Sequence, residues 1–163
     1  LNYYKYIHQV YGIRYVLTPL ALASDGQNQA DLFEGESDLK MLLSSKIIWL
    51  ARSMDSNQSG VFELDVFHRM VEALSKKAQD EQGELGAKFK DMVFLETEVN
   101  QISSLVEIFQ PRQKIVVMDS ELMALFNQIG THLNVLEIPD PRLFIKNPSL
   151  KKSAWQHMLS FFF

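Results

Sequence analysis

A mainly α architecture is the fold class this sequence predicts: about six helices around one or two helix-loop-helix hairpins, with at most a minimal β-bridge. Three observations predict it. Apolar residues recur at spacings of three and four in several separate stretches, the period of one helical face. Clusters rich in Asp, Ser, Asn, Gln, Gly or Pro interrupt those stretches. The 163 residues, 47% hydrophobic and 22% charged, suit one helical domain (1–163) with a real core.

The elements follow in order. Tyr4, Ile7, Tyr11 and Tyr15 share a helical face from Asn2 to about Tyr15, and Pro19 stops that helix. Residues 24–37 are polar and read as a surface loop. Leu39, Leu42, Leu43, Ile47, Leu50 and Met54 predict a helix over 38–54, capped by Ser37 or Asp38. Turn chemistry from Asp55 to Gly60 breaks it. Phe67, Met70, Val71 and Leu74 predict a helix over 65–78, and a solvated linker follows over 79–87. A longer helix, 88–109, is predicted from Phe89, Met92, Val93, Val99, Ile102, Leu105, Val106 and Phe109, with Pro111 ending it. Lys114 to Met118 is a short β-branched run. Ser120 to Ile129 returns to helical spacing, with Gly130 as its stop. Ile138, Pro139, Asp140 and Pro141 make 131–146 extended, and a last helix starts near Pro148 and runs through Trp155 and Met158.

One pattern carries functional information. A calcium-binding loop between two helices needs oxygen donors at its first, third and fifth positions and a Gly at the sixth for the sharp turn. Asp55, Asn57, Ser59 and Gly60 fill those places, and Phe62 falls where such loops carry the apolar residue that bridges to a partner loop. Over 46–75 the chain therefore resembles the EF-hand family, in a degenerate form. The resemblance implies paired units, and 101–130 fits a second one: Ile102, Leu105, Val106 and Phe109 precede a loop, Val117 takes the bridging position, and Leu122, Leu125, Phe126 and Ile129 follow it. There the donor positions hold Gln110, Arg112 and Lys114, and fixed cations repel a divalent ion.

The first loop departs from the family as well. Val66 stands where a bidentate Glu should close the calcium shell. The expected cofactor is therefore none, with weak calcium at most, and the ligands implied for it are Asp55, Asn57, Ser59, the Val61 carbonyl and Glu63 through water. Pairing of Phe62 with Val117 would replace the metal as organiser. The expected function is a non-catalytic scaffold or adaptor, calcium-independent, that binds a protein or peptide as an amphipathic helix or extended segment. The alternatives are a calcium-responsive regulatory module and an accessory domain of an enzyme.

Charge and composition narrow the classes further. A net charge of -4 argues against gripping nucleic acid, whose affinity rests on surplus Lys and Arg. The absence of Cys removes disulfides, thiolate metal sites and thiol nucleophiles. No apolar run is long enough for membrane insertion, and a cytoplasmic location is expected. Leu1 in the place of Met, with an end in Phe161, Phe162 and Phe163, suggests a fragment of a longer chain.

His8, His68, His132 and His157 are scattered, without the spacing of a zinc site. His68 and Glu72 share a helical face, but no third catalytic group accompanies them. Ser149 and Lys152 form an S-x-x-K string better explained by helix capping. Leu39, Leu42 and Leu43 form an L-x-x-L-L string better explained as core, and Asn57 to Ser59 form a glycosylation sequon relevant only to a secreted chain.

Overall fold

A computed structural model describes residues 13–17, 36–52, 64–81, 91–129 and 132–163. The fold is α/β, which overturns the mainly α expectation. Five strands, β1 (Ile13–Leu17), β2 (Ile47–Arg52), β3 (Met92–Thr97), β4 (Lys114–Val117) and β5 (Asn134–Glu137), form one sheet in the order β1-β3-β2-β4-β5. Every pairing in it is parallel. The helices are α1 (Glu36–Ser44), α2 (Leu64–Glu81), α3 (Ile102–Ile108), α4 (Ser120–Ile129) and α5 (Pro148–Phe162), with 3-10 turns at Val99–Gln101 and Pro141–Phe144.

The correction has a clear physical reason. Ile47, Ile48, Trp49, Leu50 and Ala51 are all buried, as are Met92 to Leu95 and Ile115 to Met118. A parallel strand covered by helices on both faces needs apolar side chains at consecutive positions, so it shows no alternation. An unbroken apolar run also contains residues three and four apart, and thus satisfies a helical template by default. The helix expected over 38–54 is therefore a helix, a turn and strand β2, and the one expected over 88–109 is β3, a 3-10 turn and α3. Of the helix expected over 2–15, the described residues Ile13 to Tyr15 belong to strand β1. The helix that should enter a unit over 46–75 is β2, and the loop expected within 101–130 contains β4. By contrast, α2, α4 and α5 lie where the helical periodicity places them.

Crossover handedness distributes the helices. Right-handed β-α-β connections put a helix on one face when the chain moves one way across the sheet and on the other face when it moves back. On one face, Met70, Val71, Leu74 and Ala78 of α2 and Ala154, Met158 and Phe162 of α5 cluster with Trp49, Met92, Phe94 and Val116. The Trp49 indole N–H donates to the Met92 sulfur at 3.3 Å, and its ring lies 6.0 Å from that of Phe162. On the other face, Leu42 of α1, Ile102, Leu105 and Val106 of α3, and Leu122 and Phe126 of α4 cover Ile48, Leu50, Val93, Leu95, Ile115 and Val117. Phe109 and Phe126 stack there with centroids 6.2 Å apart.

Gln113 ties the two amino-side turns together. A helix leaves its last carbonyls without partners. At the end of α1, the buried Gln113 amide donates to the Leu42 carbonyl at 2.7 Å and to the Ser45 carbonyl at 2.9 Å, while its oxygen accepts from the Gln110 N–H at 2.8 Å. Arg112 donates to the Leu43 carbonyl at 3.2 Å.

Candidate functional site

In an open parallel sheet the crevice available to a ligand lies beyond the carboxyl ends of two neighbouring strands whose connections run away from each other, on opposite faces and towards opposite edges of the sheet. Here those strands are β2, which leads to α2, and β4, which leads to α4. An ion pair between Arg52, the last residue of β2, and Glu121 in the first turn of α4 spans that position. Asp119 Oδ1 accepts from the Glu121 N–H at 2.9 Å and the Leu122 N–H at 3.0 Å, capping α4.

Beyond β5, Asp140 holds the next turn. Its Oδ1 accepts from the Arg142 backbone N–H at 2.8 Å, and its Oδ2 accepts from the Arg142 side chain, with Nε at 2.7 Å. Both side chains are largely buried, at 17% and 20% exposure, so the pair forms a fixed internal link. The hydrogen bond to Asp140 raises the Arg142 pKa against the opposing effect of burial. Burial raises the pKa of Glu96, near the end of β3, and the Arg142 charge partly offsets that. Among the described residues no group of three His, Cys, Asp or Glu side chains is placed to hold a metal ion. The charged groups at this end thus join β2 to α4 and close the turn after β5 on itself.

The second feature is the open side of β5. The Ile138 N–H donates to the Val117 carbonyl at 2.9 Å, so its backbone faces β4. Backbone polarity alternates along a strand, as the side chains do. The amides and carbonyls of Val135 and Glu137 therefore point away from β4, on the side where no described strand lies. Val135 aligns with Ile115 and Glu137 with Val117, which puts both side chains on the α4 face, whereas Leu136 aligns with Val116 on the α5 face. Leu143 and Ile145, just past the strand, are 47% and 60% exposed.

The residues singled out from the sequence are placed as follows. Asp55, Asn57, Ser59, Val61, Phe62, Glu63 and His8 lie outside the described residues. Val117 lies in β4, aligned with Leu50 of β2 on one side and Glu137 of β5 on the other. His68 falls in α2; Glu72 in the same helix pairs with Lys76 at 2.9 Å. His132 and His157 are exposed. The Ser149 hydroxyl donates to Asn147 Oδ1 at 2.6 Å at the start of α5, a local contact at the helix start. Leu42 is fully buried, which bears out the core reading of the L-x-x-L-L string at that residue. The extended stretch expected over 131–146 contains β5, but nothing in the sequence marks its outer side as an open sheet edge.

No helix among the described residues is long and apolar enough to cross a membrane. Comparison with protein-family models, with curated proteins and with solved structures found no match.

Proposed function

We propose that this chain is a non-catalytic protein-interaction module, independent of calcium, whose docking surface is the open edge of β5. The observation that carries the reading is the outward backbone of Val135 and Glu137, fixed by the bond from Ile138 to Val117. An exposed sheet edge takes an extended segment through main-chain hydrogen bonds, and side chains flanking the edge supply selectivity. The strand is only four residues long, with exposed polar residues at both ends and Pro139 soon after, features that limit indiscriminate edge-to-edge pairing.

The Asp140–Arg142 contacts serve this reading by fixing the shape of the turn that follows β5. Asp140 and Arg142, both largely buried, hold their charges as a fixed pair.

Val135→Pro is the test. Proline removes one outward N–H and leaves the ladder to β4 intact, a position at which an edge strand tolerates it. Partners captured by the wild-type chain should be lost by this variant while its melting temperature is retained, and a chelator should change nothing. Partners that bind the folded variant equally well would refute the assignment of the edge, and partners lost with chelator would refute calcium independence.

A further inference from the structure

We infer that the segment taken up by the β5 edge is basic, with Lys or Arg beside Glu137 and an apolar residue beside Leu136. This rests on the edge reading above and adds the chemistry of the partner. Glu137 is exposed, and no ion pair among the described residues reaches it. Its side chain stands on the α4 face at the end of the strand, so the residue added alongside it shares that face. Directly opposed charges on neighbouring strands attract, and like charges there repel.

Around the carboxyl ends of β2 to β5 the charges are mixed, Glu96, Glu98, Asp119, Glu121, Glu137 and Asp140 against Arg52, Arg142 and, where the turn after β5 enters α5, Lys146, Lys151 and Lys152. The charge preference therefore rests on Glu137 itself, and its place at the carboxyl end of the strand sets where the basic residue sits. Such complementarity acts mainly on association rate and selectivity, and salt weakens it. On the α5 face, Leu136 is partly buried against the core and offers an apolar neighbour to the middle of the added strand.

The probe is a displayed library of short random peptides selected on the folded chain, with backbone amide protection at Val135 and Glu137 used to identify those that bind the edge. A recovered peptide is then compared with a twin in which its basic residue is replaced by Glu. We expect the twin to bind about fivefold more weakly in low salt, the upper range for one exposed charge pair. Glu137→Lys should invert the order of the two peptides. If peptides protect the β5 amides but the charge exchange alters affinity less than about twofold, the basic partner is refuted and the edge reading stands. If no recovered peptide protects those amides, both fall.

Discussion

Replacing Gln113 should unfasten the amino side of the sheet, and by more than its size implies. Its side chain makes three hydrogen bonds, to the Leu42 and Ser45 carbonyls and from the Gln110 N–H, in a place closed to solvent. The Leu42 carbonyl also accepts from the Ser45 N–H at 3.3 Å, so truncation leaves it partly served. The Ser45 carbonyl and the Gln110 N–H lose these partners. At about 1 kcal/mol net for each bond, plus about 1 kcal/mol or more for a buried polar group left unpaired, Gln113→Ala should cost roughly 3–5 kcal/mol. For a chain of this length that is a fall in melting temperature of about 10 °C. The discriminating variant is Gln113→Met, which keeps the volume and removes the hydrogen bonds. Urea unfolding followed by Trp fluorescence should place it within about 1 kcal/mol of the Ala variant, with an unchanged slope against denaturant. If Gln113→Met lies within about 0.5 kcal/mol of wild type, the side chain fills space and the hydrogen-bond argument fails.

Other expectations follow from the same structure. Glu96 has a pKa raised above the ordinary 4.5 by burial, so the folded chain keeps a proton that the unfolded chain has already released. Its contribution to stability is complete below the unfolded value and is lost as pH rises through the folded value. Glu96→Gln should remove that decline, so its melting temperature should gain on wild type as pH is raised from 4.5; a constant gap would contradict this. Asp119→Ala removes the cap of α4 and should cost about 1 kcal/mol in urea unfolding. Glu121→Gln breaks an ion pair exposed at both partners and should change stability by less than about 0.5 kcal/mol, which thermal unfolding at low and high salt can check. Trp49→Ala should cost about 3–5 kcal/mol, because it empties a fully buried site between β3 and α5.

How much was legible depended on the faces each element buries. Helix α2 exposes Arg69 and buries Met70, Val71, Leu74 and Ala78, so its periodicity could be read directly. Helices α4 and α5 have one buried side each and were equally plain. β2 and β3 are buried on both faces, and Ile47 to Ala51 or Met92 to Leu95 carry no alternation that would mark a strand. Ile47, Leu50 and Ala51, which formed the expected helix before the Asp55–Gly60 turn, were therefore real core residues assigned the wrong period. Three short unbroken apolar runs, separated by helical stretches, were the available signal for strands in a parallel sheet.

The sequence by itself determined where α2, α4 and α5 form, that Pro111 ends a helical stretch, and that the chain has enough apolar residues for a core, because these follow from local periodicity and backbone restriction. Only the tertiary structure decided that the remaining apolar runs are strands, that they order as β1-β3-β2-β4-β5, and that Arg52 meets Glu121. It also decided which way the Val135 and Glu137 amides face, since that is a matter of register against β4. Register and strand order arise from contacts between segments far apart in the chain, and no local pattern of side chains encodes the direction of a backbone hydrogen bond.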